Sequence, residues 1–212
     1  MAELVPISLS RRMQSIEFRL ARLKLLAAYS WRLKRCGRRT VVLRPLFWTP
    51  ELIALGDGVV VWPGCRIEGL HTAEQAPLID LEAGVTVQQN CHITAAGTLR
   101  IGAGTTILSD VVITDIDHGY EEPGVSPYLQ AIRVTQTSIG TNCLIGAGAR
   151  VLAGTVLGDQ CVIGANTVVR GTYPARTVIA GNPARVVRQF DAASGRWVSV
   201  DRSGNAREEL NR

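Results

Sequence analysis

Residues 113–130, ITDIDHGYEEPGVSPYLQ, gather Asp115, Asp117, His118, Tyr120, Glu121 and Glu122 into one short run. Histidine is the side chain whose ordinary pKa lies nearest neutrality, so it can take a proton from an alcohol and return it. A neighbouring carboxylate can fix the ring tautomer and steady the imidazolium, and both Asp115 and Asp117 are close enough in sequence to serve. Loop histidines are also commonly just solvated, so residue type alone does not decide the matter. The other two histidines have weaker settings. His92 follows Asn90 and Cys91 at a position whose parity points outward, where it either lines a cleft or decorates the surface; His71 has no partner that sequence can identify. Asn90 reads equally as a turn asparagine and as a contact for a bound acceptor.

The elements that must hold these residues announce themselves by period. From Ile139 an aliphatic residue returns every sixth position: Ile139, Ile145, Val151, Leu157, Ile163, Val169. Three shorter sets precede it, Leu55/Val61/Ile67, Leu81/Val87/Ile93 and Ile101/Ile107/Ile113. Side chains alternate along a strand, so the residue two places before each anchor faces the same side. Those residues are without exception aliphatic, Cys or Thr, from Ile53, Val59 and Cys65 through to Thr155, Cys161 and Thr167. Glycines follow many anchors, as tight turns between very short strands require. A six-residue period of tiny strand and turn predicts a β-solenoid. The stretch at 114–138 lies between the anchors Ile113 and Ile139 and does not repeat, so it is expected to protrude as a loop.

The same register places four of the five cysteines, Cys65, Cys91, Cys143 and Cys161, in the small inward position as compact hydrophobes. No CxxC pair or zinc-like spacing is present, and no metal is expected.

Charge is lopsided. Residues 1–50 carry eleven Arg/Lys against Glu3 and Glu17, a net of +9, whereas the whole chain carries only +5. Within this arm Met13, Ile16, Leu20, Leu23 and Ala27 fall at helical spacing between arginines, predicting a basic amphipathic helix. Two readings stand: a capping helix with a solvated charged face, or a segment that lies on an anionic membrane. No aromatic-rich RNA motif or recognition helix accompanies the charge, which argues against a nucleic-acid partner. No apolar run is long enough to cross a bilayer, and no cleavage site follows a hydrophobic segment, so the expected location is cytoplasmic.

The stretch 139–188, ending in Gly181-Asn182-Pro183-Ala184-Arg185, resembles the acetyl-CoA-binding end of the hexapeptide-repeat acyltransferases. The Asp115-Ile116-Asp117-His118-Gly119-Tyr120 loop is similar to that of family members that O-acetylate bacterial surface saccharides, of the maltose/galactoside acetyltransferase type. The resemblance covers roughly residues 51–188. It implies an all-β left-handed parallel β-helix, a direct acetyl transfer from acetyl-CoA to a sugar hydroxyl, and His118 as general base supported by Asp115 or Asp117. Asn90, His92 and Tyr120 would meet the acceptor. Ala147 and Ala165 would let the pantetheine arm pass, and Arg170, Arg185 and Arg188 would face the phosphates. It further implies a homotrimer with sites between subunits and a saccharide acceptor in nucleotide-linked, lipid-linked or polymeric form. The chain departs from the pattern at Leu144, where many relatives have tryptophan, at Asn166-Thr167, and at Ile116. Rival readings are an N-acetyltransferase of a nucleotide-linked amino sugar, an acetyltransferase of a small metabolite, and a non-enzymatic solenoid scaffold; the wide spacing of His71, His92 and His118 speaks against a three-histidine zinc site. The expected organisation is a basic helical arm at 1–50, with peripheral inner-membrane contact as its hypothetical role, the β-helix at 51–188, and a hairpin around Ser194-Gly195 with a polar tail at 189–212.

Overall fold

Three parallel ladders, each built from one strand per coil, run the length of the molecule. The first stacks Arg35–Cys36, Ile53–Leu55, Leu78–Leu81, Thr98–Ile101, Ser138–Ile139, Val156–Leu157 and Thr172–Tyr173. The second stacks Val41–Val42, Val60–Val61, Thr86–Val87, Thr106–Ile107, Leu144–Ile145, Val162–Ile163 and Thr177–Ala180. The third stacks Phe47–Trp48, Arg66–Gly69, His92–Ala95, Val112–Thr114, Arg150–Val151 and Val168–Val169. The chain visits the three in turn, giving a left-handed parallel β-helix. This computed structural model describes residues 8–72 and 76–201, with the side chains of the helix Ser8–Ala28 (α1) described from Ile16 onward.

Every anchor and every inward position two places before it is buried, none more than 3% exposed. Aliphatic anchors fill the middle, and Cys and Thr occupy inward sites beside the corners for a physical reason. A thiol or hydroxyl at such a site donates to a corner carbonyl of the adjacent coil. Cys65 Sγ donates to Gln88 O, Cys91 Sγ to Leu108 O, Cys143 Sγ to Gly158 O and Cys161 Sγ to Pro174 O. Thr105 Oγ1 donates to Gly140 O at 2.8 Å and accepts from Cys143 N. Among the described residues no buried side-chain polar atom lacks a partner.

The solenoid begins earlier than the boundary at residue 51, because Arg35–Cys36, Val41–Val42 and Phe47–Trp48 form a complete first coil inside the segment read as the arm. The six-residue period continues there as Cys36, Val42 and Trp48, which pair with Leu55, Val61 and Ile67. Two of these three are not aliphatic, so an aliphatic criterion passes over them.

The helix packs on the first coil, as the capping reading expects, but through a different face from the stripe its spacing suggests. Its core-facing side is Phe18, Ala21, Arg22 and Leu25, continued by Tyr29 just past its end, not the expected stripe of Met13, Ile16, Leu20, Leu23 and Ala27, of which the Met13 side chain lies outside the described residues. Leu25 is 2% exposed within the core cluster, Phe18 meets Trp62 edge-on, Tyr29 meets Trp48 edge-on, and Arg22 Nη1 donates to Thr40 O at 3.0 Å. At the other end, Thr177–Ala180 pairs antiparallel with Arg185–Asp191, which turns through Ser194-Gly195 into Arg196–Ser199. The turn contains Ser194-Gly195, but the hairpin's first strand begins at Arg185, before the expected boundary at 189; the tail from residue 202 lies outside the described residues.

Close coil stacking dictates glycine at one corner. A Cβ on Gly102 would sit 2.5 Å from Gly140 C and 2.7 Å from Thr141 N, both immovable backbone. Gly58 has φ +68° with open space around it. Gly102→Ala is therefore expected to destabilise by ~2 kcal/mol or more through a backbone clash, and Gly58→Ala by ~1 kcal/mol from left-handed strain alone. Equilibrium denaturation of the two variants measures the difference.

Candidate active site

The insertion after Ile113 is an ordered arm, not a slack loop. Ile116–His118 pairs antiparallel with Ile132–Val134, with Asp117 opposite Arg133 and His118 opposite Ile132. Gly119 N donates to Ala131 O at 3.0 Å, closing the next rung. Beyond it, Gln130 acts as a staple: its Oε1 accepts from Glu122 N, and its Nε2 donates to Glu122 O and Val125 O. Arg133 pairs with Glu121 across the arm. Hydrogen bonding from Tyr120 N, aided by Arg133, holds the Glu121 carboxyl below its ordinary range. Ser126-Pro127 starts a single turn, Pro127–Leu129, which presents Tyr128 and Leu129 to solvent.

The base of the arm is set by Asp115. This carboxylate is 1% exposed, and both of its oxygens accept backbone N–H groups, from Ala96 at 2.9 Å and Gly97 at 2.8 Å. The chain leaves the third ladder just there, so the next coil supplies no carbonyl for those two amides; the Asp115 side chain supplies its oxygens in their place. Thr135 N donates to Asp115 O, and Thr137 Oγ1 to Thr114 O, where the chain returns. The sequence offers Asp115 as a partner for His118; the structure commits it to the arm's base, because two buried amides have no other acceptor and an exposed ring has water.

Asp117 is committed as well. Arg170, just past the last strand of the third ladder, donates to it twice, at 2.6 and 2.8 Å. Arg170, expected to face phosphates, faces Asp117 in this structure, and the pair ties the arm to the C-terminal coils. Both bonds come from Nη2, which bridges the two carboxylate oxygens in a charge-assisted pair. His118 itself is exposed, and among the described residues no hydrogen bond reaches its ring. Its one ring neighbour is Tyr128, stacked with centroids 6.3 Å apart and planes at 27°. Sequence reasoning missed Tyr128 and Gln130; the Ser126-Pro127 turn start was the available signal.

The remaining candidates are placed as follows. Asn90 sits at a corner with φ 58°, its Oδ1 over Gly64 and its Nδ2 donating to Asp110 at 3.4 Å, so the turn reading describes its surroundings. His92 is exposed on the third ladder between Arg66 and Val112, the face from which the arm departs. Tyr120 is 72% exposed on the arm. His71 is exposed near the undescribed residues 73–75, and among the described residues no metal-binding cluster exists. Ala147 and Ala165 form one column at the second-to-third corner, where Asn166 N donates to Ala147 O at 2.9 Å. The column continues to Ala180 and Gly181, beside a hollow of about 380 Å³ lined by Asn182, Pro183, Arg185 and Asp201. Arg188 donates to Trp197 O at 3.1 Å, so the hairpin holds it. The inward thiols offer no accessible nucleophile: Cys65, Cys91, Cys143 and Cys161 are buried in the core, each with its sulfur donating to a backbone carbonyl.

Comparison with known proteins agrees with this architecture. Residues 136–170 match the model of the hexapeptide repeat of succinyl-transferase. WbbJ of Escherichia coli (strain K12), named for lipopolysaccharide biosynthesis O-acetyl transfer, is 35% identical over 152 residues, spanning 68% of this chain and 76% of WbbJ. The fold is similar to that of AntD, an N-acyltransferase from Bacillus cereus of which a point mutant was solved with dTDP and coenzyme A, at TM-score 0.65 and 13% identity over 82% of this chain and 90% of that one. It is also similar to a maltose O-acetyltransferase from Clostridium difficile 630, at TM-score 0.53 and 20% identity over 86% and 87% of the two chains. A register of stacked six-residue turns, and 35% sequence identity to WbbJ over three-quarters of its length, together make this chain a member of the hexapeptide-repeat acetyltransferases.

Proposed function

We propose that the protein transfers an acetyl group from acetyl-CoA to a hydroxyl of a bacterial surface saccharide, with His118 as the general base. The observation that carries this reading is the state of His118: an exposed ring, without a hydrogen bond among the described residues, on an arm whose backbone is fixed on both sides. The likeness to WbbJ supports a surface-saccharide acceptor. Acetyl-CoA supplies the activated acyl group. His118 accepts the proton of the sugar hydroxyl as that oxygen bonds to the acetyl carbon, and returns it to the departing thiolate sulfur. A backbone N–H steadies the negative charge that develops on the carbonyl oxygen. The shallow column of Ala147 and Ala165 suits a slender thioester arm, and Arg185 at its end suits phosphate. Arg170 and Asp117 act through His118 as positioning residues, since their ion pair holds the strand that carries it.

The exposed Tyr120, Tyr128 and Leu129 on one arm favour a neighbouring copy of this chain as the second wall of the site, in a homotrimer. Sedimentation equilibrium is expected to return three chains, and Tyr128→Asp to weaken that assembly.

His118→Ala is expected to lower kcat about 10²- to 10⁴-fold while melting and CoA binding, read by calorimetry, stay unchanged; a full rate overturns the assignment. Turnover with de-O-acetylated lipopolysaccharide compared against nucleotide-linked amino sugars separates the O-acetyl reading from N-acetylation. Arg170→Met and Asp117→Asn are each expected to reduce kcat about ten- to a hundredfold with little change in KM for acetyl-CoA. A rise in KM for acetyl-CoA with unchanged kcat in Arg170→Met returns Arg170 to a phosphate-binding role.

A further inference from the structure

The helix α1 has two apolar faces, and only one is used by the fold. The outward stripe of Ile16, Leu20 and Leu23, on successive turns, is 58%, 62% and 62% exposed, with Leu26 beside it at 44%. Trp31, just past the helix, is 78% exposed and Leu46 in the first coil 69%. Large aliphatic side chains at that exposure, repeated along one helix face, need a partner.

The charges around the stripe say what kind. Arg32, Arg35, Arg38 and Arg44 are neutralised by Glu51, Asp80, Asp57 and Glu17. Arg19 and Lys24 on the helix, and Lys34 and Arg39 in the first coil, are exposed and pair with no acidic group among the described residues. Glu17 is the one acidic residue in α1, and Arg44 holds it. The partner must therefore be apolar at depth and anionic at its surface. Protein interface cores avoid unpaired charges, whereas an interfacial helix combines leucines below, lysine and arginine at the headgroups, and a tryptophan at the boundary.

The geometry points to an anionic bilayer surface as the partner of this N-terminal face, with α1 lying along the membrane. No helix among the described residues is long and apolar enough to cross a membrane, so the contact is one of lying on the surface. Between α1 and the first coils runs an open, mainly apolar cleft of about 1070 Å³, lined by Ile16, Leu20, Leu25, Val42, Trp48 and Trp62. It gives the ends of lipid chains room beside the inserted leucines. This inference does not depend on the transferase reading, because it uses none of the residues placed at His118.

The test is co-sedimentation of the full chain with vesicles of phosphatidylethanolamine and phosphatidylglycerol, against vesicles of phosphatidylcholine alone. Binding is expected to the anionic vesicles only and to weaken as salt rises. Leu20→Glu/Leu23→Glu and, separately, Arg19→Glu/Lys24→Glu are each expected to reduce it about tenfold or more, with circular dichroism and melting unchanged. Equal binding to both vesicle types overturns the proposal, as does full binding by the leucine variant. So does a smaller sedimentation mass for the leucine variant, which would assign the face to a second copy of the chain.

Discussion

Everything in this molecule follows from one spacing. Parallel strands joined by backbone hydrogen bonds lie about 4.8 Å apart, so every coil must sit on the next at that distance around its whole circumference. Strand segments accept this readily, and corners do not. Where a corner passes over another corner, a Cβ collides with backbone, which leaves glycine at Gly102, Gly140 and Gly158. Where a corner carbonyl points inward, a thiol or hydroxyl from the adjacent coil must meet it, which selects Cys and Thr over larger residues. The inward cysteines thus serve the stack as hydrogen-bond donors small enough to fit it.

The site is made by suspending that rule at one place. Between Ile113 and Ile139 the chain leaves the stack, yet Ile101 pairs with Ile139 and Ile113 with Val151 as if nothing intervened. The excursion is free of register, so its residues can be chosen for chemistry. It is not free of hydrogen-bond demands. Departure strands the amides of Ala96 and Gly97, and a buried Asp115 answers them; an unsatisfied buried amide would cost ~1–3 kcal/mol. The arm then secures itself by strand pairing, by the Gln130 staple and by the Arg170–Asp117 pair. Such an arrangement holds the strand that carries His118 at a definite place while its ring, stacked beside Tyr128, makes no hydrogen bond among the described residues, as the proposed proton transfer requires.

The two ends of the stack pose the opposite problem, since a solenoid exposes unpaired strand edges and core residues wherever it stops. The C-terminal end is finished by pairing: Arg185–Asp191 runs back along Thr177–Ala180, and Arg196–Ser199 along that. The N-terminal end is finished by α1, whose Leu25 plugs the first coil. A cap needs only one apolar face, and the presence of a second is what separates α1 from a simple plug.

The solenoid was legible from the chain alone because its period is strict: a core residue must recur wherever the backbone returns, so Ile139 to Val169 and their inward neighbours declare both strands and burial. The first coil was less legible because Cys36 and Trp48 serve as anchors where the end of the stack tolerates a partly exposed side chain. That His118 lies on a segment outside the stack was legible from the break in the period between Ile113 and Ile139. What sequence could not decide was partnership. Asp115 and Asp117 are both near His118 in the chain, yet one turns inward to two amides and the other outward to Arg170, a residue fifty-three positions away. Which face of α1 packs was equally undetermined, since both have helical spacing and apolar residues. Local spacing fixes what a segment can become; which of two competent neighbours it satisfies depends on donors and surfaces brought from distant coils, and only the folded stack supplies those.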